Sequence, residues 1–101
     1  MKYYATVALT MKDDSWVGDY LPNVTALVER HGGKYLARTG NIQQLEGKLE
    51  PVTLQVILEW PSKEAAEGFF GDPEYRPYRE ARQSGSDSEF YLVAGEDIAA
   101  G

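Results

Sequence analysis

Residues 52–60 alternate between two kinds of side chain, and this alternation limits the fold more than any other feature. One face carries Val52, Leu54, Val56, Leu58 and Trp60. The other face is polar except for Ile57, which is the pattern of a β-strand with one buried side. Residues 2–10 alternate as well, and residues 34–39 and 89–94 are also predicted to be strands, the last with apolar side chains on both faces. We therefore predict four strands in a chain of 101 residues, which leaves room for one sheet and one core.

Two helices are predicted between these strands. Apolar side chains recur at steps of one and three over residues 16–31, which is the stripe of an amphipathic helix. Pro22 is expected either to kink this helix or to mark the first turn of its main segment. Gly32 and Gly33 are expected to end it, because glycine accepts the left-handed conformation that often follows a helix.

Hydroxyl and carboxylate side chains mark the predicted helix starts. Asp14 or Ser15 can cap the first helix, and Ser62 can cap the second, which extends to residue 70. A further short helical segment is predicted after it. One face of this segment carries Tyr75, Tyr78, Arg79 and Arg82. Residues 84–88 are then expected to be a flexible link before the last strand.

The predicted order of elements is βαββαβ. This is the ferredoxin-like α+β arrangement, a four-stranded antiparallel sheet with two main helices on one face. Residues 1–95 form a single domain in this prediction, and residues 96–101 form a C-terminal tail.

Both faces of the predicted sheet carry apolar residues, although two helices can cover only one of them. The uncovered face includes Ile57 of the third strand. The last strand adds further apolar residues, such as Tyr91 and Val93. A sheet face in water is normally polar. We therefore predict that two copies pair face to face as a dimeric α+β barrel. A monomer with an amphipathic outer face is the alternative.

Composition removes several classes of function. The formal net charge is −6, which disfavours nucleic-acid binding. The longest apolar runs have the length of strands, so no membrane span is predicted, and without a signal-peptide pattern the cytoplasm is the expected location. The chain has no cysteine and a single histidine, His31. We therefore expect neither a metal site nor a cofactor.

Several stretches of the chain are similar to the DUF1330 family, small proteins of the dimeric α+β barrel superfamily. They are residues 29–38, 45–47 and 56–62, and residues 72–75 with Arg79 and Arg82. The resemblance implies a ferredoxin-like subunit that forms a dimer, and it implies no activity. Trp60 departs from the phenylalanine that the family usually has there. The superfamily also includes cofactor-free monooxygenases, but the fold alone does not carry their activity over.

Seven polar side chains are predicted to face a cavity between the sheet and its helices, near the dimer seam. They are His31, Arg38, Glu46, Glu59, Tyr75, Arg79 and Arg82. His31 is the first catalytic candidate, because imidazole exchanges protons near neutral pH. The alternative is a helix-end histidine that donates to a terminal carbonyl. Glu59 is the second candidate, as a partly buried carboxylate base, and a structural ion pair is its alternative.

The arginines are candidates for binding an anion. Arg38 can hold a carboxylate or enolate through two parallel hydrogen bonds, or it can form an ion pair with Glu46 or Glu59. Alternation along residues 34–39 predicts that Arg38 and Tyr35 lie on opposite faces of the strand.

An aromatic and basic stripe is formed by Tyr75, Tyr78, Arg79 and Arg82. It suits an anion-binding wall, and a solvated face whose arginines pair with nearby acids is the alternative. Trp60 is a candidate pocket wall, although a tryptophan at such a position is more often part of a core.

The leading hypothesis for function is a small-molecule-binding homodimer. It is a candidate cofactor-independent enzyme that acts on a small acidic or phenolic/carbonyl compound, and its ligand would be anionic or aromatic. The alternative is a non-enzymatic structural or accessory dimer. An open cavity of about 300 Å³ or more would favour the first hypothesis, and a filled core would favour the second.

Overall fold

The four stretches predicted to be strands form one sheet in a computed structural model that describes residues 1–100. The elements are β1 (Tyr3–Met11), α1 (Val17–Arg30), β2 (Lys34–Thr39), β3 (Leu54–Trp60), α2 (Lys63–Phe70), α3 (Arg76–Gly85) and β4 (Ser86–Ala94). The strand order is β2-β3-β1-β4, and each neighbouring pair is antiparallel. The predicted ferredoxin-like α+β fold is confirmed.

The inner face of the sheet packs against the three helices and forms the core. In β1, the side chains of Ala5, Val7 and Leu9 are buried on the inner face. Thr6 and Thr10 point to the other face and are exposed. The core is completed by Leu58 and Trp60 of β3, Val24, Leu27 and Val28 of α1, Ala66 and Phe69 of α2, and Tyr75. Each large apolar side chain buried in this way contributes about 1.5–3 kcal/mol.

The end of α1 follows the prediction for the glycine pair. Gly32 has a φ of +83°, in the region that favours glycine, and the Gly33 amide donates to the Val28 carbonyl at 2.8 Å. A Cβ on Gly33 would lie 2.6 Å from Cζ3 of Trp60. The tryptophan ring therefore occupies the space that a larger residue at position 33 would need.

The two predicted caps have different outcomes. Ser62 caps α2 as expected, and its Oγ accepts a hydrogen bond from the Ala65 amide at 3.1 Å. The cap predicted at Asp14 or Ser15 is wrong, because α1 begins after Trp16 without a side-chain cap. Pro22 lies inside α1, which continues through it from Val17 to Arg30.

The flexible link predicted at residues 84–88 is also wrong. Helix α3 continues to Gly85, and β4 begins at the next residue, Ser86. Both residues are buried, and the indole ring of Trp16 lies against Gly85 where a side chain would be. The helix can enter the strand directly because the Gly85 carbonyl accepts hydrogen bonds from the backbone amides of residues 12 and 13.

A bulge in β2 changes the direction of Arg38. Tyr35 pairs with Leu58, but the register shifts before Ala37, and Arg38 then pairs with Val56. Tyr35 and Arg38 consequently lie on the same, helix-facing side of the sheet. The prediction that they lie on opposite faces is wrong, because the bulge adds one residue to the alternation.

The outer face of the sheet carries exposed apolar side chains. Ile57, Tyr91 and Val93 are 37%, 59% and 48% exposed. Thr6 lies between Ile57 and Tyr91 in the register, and Tyr4 lies beside Val93. These five residues are called the outer face below. Among the helices of residues 1–100, none has the length and apolar character needed to cross a membrane.

Candidate functional site

A small cavity lies between the inner face of the sheet and helices α1 and α3. It is called the central chamber, and its volume is about 70 Å³. Most of its wall is aliphatic, from residues such as Val24, Val56 and Leu58. Its wall also includes Trp16, Tyr20, Tyr35, Arg38, Tyr75 and Arg82. Within residues 1–100 the chamber wall has no carboxylate and no imidazole.

Arg82 is the unusual member of this wall, because it is a buried cation. The residue is 3% exposed, and Nη1 donates to Oγ of Ser88 at 2.6 Å. Its Nε is buried and has no acceptor among residues 1–100. No carboxylate of the described chain is within ion-pair distance of it. An arginine in this state lacks the counter-ion that buried charges normally have.

Two tyrosine hydroxyl groups meet in the chamber. Oη of Tyr20 on α1 lies 3.0 Å from Oη of Tyr75, which is fully buried at the start of α3. Burial raises the pKa of Tyr20 far above its usual value, and the neighbouring Tyr75 raises it further. Tyr20 is therefore uncharged at neutral pH and acts as a hydrogen-bonding group.

Arg38 lies at the opposite side of the chamber, on the edge strand β2. Its guanidinium carbon is 3.9 Å from the centre of the Tyr35 ring, and Nη1 donates to Oγ1 of Thr25 at 2.9 Å. Burial raises the pKa of Tyr35, although the nearby Arg38 opposes this shift. Arg38 has no ion pair within residues 1–100, so the predicted partners Glu46 and Glu59 do not neutralise it.

His31 lies outside the chamber. It follows the last residue of α1, and Nε2 donates to Oδ2 of Asp72 at 2.7 Å. Asp72 precedes α3, and its Oδ1 accepts a hydrogen bond from the Glu74 amide at 2.9 Å. The His31 hydrogen bond, followed by that amide, lowers the pKa of Asp72. This pair connects the end of α1 to the turn between α2 and α3.

Three further residues predicted to face one cavity are placed elsewhere. Glu59 points to the other side of the sheet, where it pairs with Nζ of Lys2 at 3.3 Å. Glu46 is exposed in the loop between β2 and β3. Arg79 is half-buried on α3, and Nη1 donates to the carbonyl of Phe70 at 2.5 Å. The structure therefore brings together only Arg38, Tyr75 and Arg82 of the seven.

Trp60 lines a second, more open pocket of about 380 Å³ between α2 and the inner side of β4. The other walls include Phe70, Phe90 and Leu92. Trp60 is almost fully buried, and Cε3 and Cζ3 of its ring face Gly33. It stacks near Phe69, with ring centres 5.1 Å apart. These contacts make Trp60 a core residue that also forms the floor of a pocket.

Sequence reasoning missed Tyr20 and Tyr35 as members of the site. Tyr20 lies on the apolar stripe of the first helix, which periodicity assigns to the core, and Tyr35 lies on the strand face that was predicted to be opposite Arg38. Their hydroxyl groups were the available signal, because a buried tyrosine hydroxyl normally needs a partner. Within residues 1–100 no group of three histidine or acidic side chains is arranged to hold a metal ion.

The sheet order and the three helices define a ferredoxin-like α+β fold. The chain belongs to the family described as Domain of unknown function (DUF1330), whose family model matches residues 2–96. No curated protein matches the sequence.

Solved structures share the fold at low sequence identity. A protein of unknown function from Rhodopseudomonas palustris has a TM-score of 0.80 at 20% identity, over 95% of this chain and 83% of that chain. SnoaB, a cofactor-independent oxygenase from Streptomyces nogalater, has a TM-score of 0.66 at 16% identity, over 99% and 98%. A dimeric ferredoxin-like protein of unknown function from Jannaschia sp. CCS1 has a TM-score of 0.62 at 10% identity, over 93% and 99%.

Proposed function

We propose that this protein is a small-molecule-binding homodimer whose central chamber holds the anionic group of an organic compound. The observation that carries the proposal is Arg82, a buried guanidinium whose Nε has no acceptor and which has no carboxylate partner within residues 1–100. Removing a cation from water costs several kcal/mol unless an anion compensates it. A carboxylate, phenolate or enolate oxygen in the chamber would supply that anion.

The size of the chamber limits what can enter it. A cavity of about 150 Å³ holds benzene, and one water molecule occupies about 30 Å³ of liquid. The chamber of about 70 Å³ therefore suits a group of a few heavy atoms, such as a carboxylate with one attached carbon. It is well below the size of about 300 Å³ that is usual for a whole ligand pocket, so the volume criterion stated above does not favour binding by the chamber alone. The proposal rests on Arg82 instead.

In this proposal the ligand-binding residues are Arg82, Arg38 and Tyr75, together with Tyr20. Arg82 supplies the charge, and the paired tyrosine hydroxyls offer hydrogen bonds to an oxygen of the ligand. His31 and Glu59 are not assigned a catalytic role, because each is bonded to a partner outside the chamber, His31 to Asp72 and Glu59 to Lys2.

A cofactor-independent enzymatic reaction in the chamber is the second candidate. The observation that favours it is the Tyr20–Tyr75 hydroxyl pair at 3.0 Å in the same wall as a cation. Hydroxyl donors and a cation in one wall can together stabilise the negative charge that develops on a substrate oxygen. SnoaB, which has this fold, is described as a cofactor-independent oxygenase. At 16% identity, that likeness concerns the fold and leaves the reaction open.

The binding proposal is tested with sodium acetate, compared with sodium chloride at equal ionic strength. Acetate should raise the melting temperature of the wild-type protein, because it binds the folded state. In an NMR titration it should also shift the Nε–H resonance of Arg82. Arg82→Met should lose at least about tenfold in acetate affinity, which corresponds to one charge-assisted hydrogen bond of roughly 1.5–3 kcal/mol.

Arg79→Met is the matched control, because Arg79 lies on the same helix but outside the chamber wall. It should keep the acetate response. Equal acetate affinity in wild type and Arg82→Met would refute the proposal. So would a wild-type protein that shows neither a change in melting temperature nor a shift of the Arg82 resonance.

The homodimer is proposed to form through the outer face of the sheet. Ile57, Tyr91 and Val93 are exposed there on three neighbouring strands together with Tyr4 and Thr6. No element of residues 1–100 covers this surface. A contiguous apolar patch on a sheet face is the usual mark of an interface, and a second copy offers a self-complementary surface.

Sedimentation equilibrium at micromolar concentration tests the dimer. The wild-type protein should sediment at twice the mass of one chain. Tyr91→Lys should shift it toward the single-chain mass, because it places like charges together at the proposed interface. Lys63→Glu is a control for a surface charge change on α2, on the other side of the sheet, and it should remain dimeric. A wild-type protein at the mass of one chain would contradict the dimer.

A further inference from the structure

An open groove continues from the central chamber to the surface. It is called the outer groove, and its walls come from α1 and from the ends of β1, β2 and β3. Its own residues are Pro22, Thr25 and Thr53. It shares Met11, Val17, Leu21, Arg38 and Leu54 with the chamber. The shared residues form the boundary between an enclosed space and an open one.

The outer groove is apolar, although it faces water. Leu21 is 42% exposed and Pro22 is exposed beside it. Apart from Arg38, no residue of the groove is ionisable. The Arg38 guanidinium lies flat on the Tyr35 ring and is held by Thr25, so it sits at the side of the boundary. A cation at the entrance of a chamber in a chain of net charge −6 also favours the approach of an anion.

The central chamber and the outer groove suit different parts of a ligand. The chamber has a buried cation and room for a few heavy atoms, whereas the groove has an aliphatic wall and no such limit. A ligand that filled only the chamber would leave the groove in water. A ligand with a charged head and an apolar tail would complement both.

We propose that the ligand is an amphipathic carboxylic acid whose carboxylate lies at Arg82 and whose apolar tail passes Arg38 into the outer groove. This inference rests on the proposed function, since it assumes that the chamber binds an anion. The tail is an unbranched alkyl chain or an arylalkyl group of similar width. Its contact with Leu21, Pro22 and Leu54 removes apolar surface from water on both sides.

The experiment compares the affinities of acetate, butyrate, hexanoate and octanoate for the wild-type protein by calorimetry or NMR titration. Each two-carbon extension should tighten binding by roughly fourfold if half of the added surface is buried, since a fully buried CH₂ contributes about 0.8 kcal/mol. Arg82→Met should weaken every member of the series by a similar factor, because all of them share the carboxylate.

Pro22→Glu tests the groove without touching the chamber wall. It places a carboxylate in the path of the tail, so the ratio of octanoate affinity to acetate affinity should fall at least fourfold. Leu45→Glu is the matched control, because Leu45 is an exposed leucine in the loop between β2 and β3, outside both spaces. It should keep the wild-type ratio.

The outcomes separate this inference from the proposed function. Arg82-dependent acetate binding with no gain along the series would overturn the tail and leave the chamber proposal standing. An octanoate affinity that depends on Arg38 and is unaffected by Arg82→Met would overturn the orientation. A flat series together with a Pro22→Glu protein that loses its partner copy would assign the groove to the dimer. No binding of any carboxylate would remove both proposals.

Discussion

Helix α1 borders two regions with charged side chains, and the regions differ in whether those charges have partners in the protein. At its C-terminal end, His31 is bonded to Asp72 and the neighbouring Arg30 pairs with Glu74 at 2.5 Å. Along its inner side, α1 faces the central chamber, where Arg82 has no carboxylate partner within residues 1–100. Charges that hold a fold together are neutralised by the fold itself. A buried charge without an oppositely charged partner in the protein is a candidate for binding a ligand.

The difference has a consequence for stability in the absence of ligand. The pairs at the end of α1 connect two segments and should stabilise the protein. Arg82 should do the reverse, because its desolvation is compensated by one hydrogen bond to Ser88 and by the nearby Phe90 ring, without a carboxylate among residues 1–100. A site prepared for a ligand commonly reduces the stability of the free protein.

The largest expected effect is that of Arg82→Met on the free protein. Methionine has a similar length and no charge, so it should fill the chamber wall and raise the free energy of unfolding by about 1–2 kcal/mol, as observed when buried charges are replaced by apolar residues. Denaturant unfolding measured at neutral pH without carboxylates checks this. Arg79→Met, which removes a half-buried arginine bonded to the Phe70 carbonyl, should be destabilised.

A destabilised Arg82→Met protein would contradict the contrast between the two regions, because it would show that Arg82 also supports the fold. An unchanged Arg79→Met protein would weaken the contrast between the two arginines without affecting the chamber. A stabilised variant that has also lost acetate binding would sharpen the comparison, since one substitution would then separate binding from stability.

The fold was predictable because its information is local. Alternation along residues 52–60 and 2–10, the helical stripe over residues 16–31 and the glycines at 32 and 33 each act within a few positions. Their order permits few topologies. The link expected at residues 84–88 failed for a tertiary reason, since the close contact of Trp16 with Gly85 is not visible in local composition.

The site was less predictable because it depends on register and on distant contacts. Nothing in the six residues of β2 reveals the bulge that turns Arg38 toward Tyr35. His31 and Asp72 are 41 positions apart, so their pairing follows only from the meeting of α1 with the α2–α3 turn. Arg82 was identified as an anion-binding candidate from its residue type and helical position. Its burial required the structure.

From the His31–Asp72 pair at the end of α1 we expect a smaller effect on stability, and one that depends on pH. Hydrogen bonds from His31 and from the Glu74 amide hold the pKa of Asp72 below its ordinary value of 3.8. A carboxyl group whose pKa is lower in the folded state stabilises the protein at a pH above the unfolded value, and this contribution is lost as the pH falls through the folded value. Asp72→Asn should therefore lower the melting temperature at neutral pH, and by less than Arg82→Met raises it.

The difference in melting temperature between wild type and Asp72→Asn should shrink as the pH falls below about 3.8, because Asp72 then takes up a proton first in the unfolded chain and, at its lower folded pKa, in the folded protein. Glu74→Gln is the control. It neutralises an adjacent carboxylate in an exposed pair with Arg30, and such pairs contribute little. If the Asp72→Asn difference stayed constant down to pH values well below 3.8, the charge of Asp72 would not be the source of its effect. The His31–Asp72 bond would then stabilise the α1 end only as a neutral contact, and the contrast with the chamber would be one of packing instead of charge.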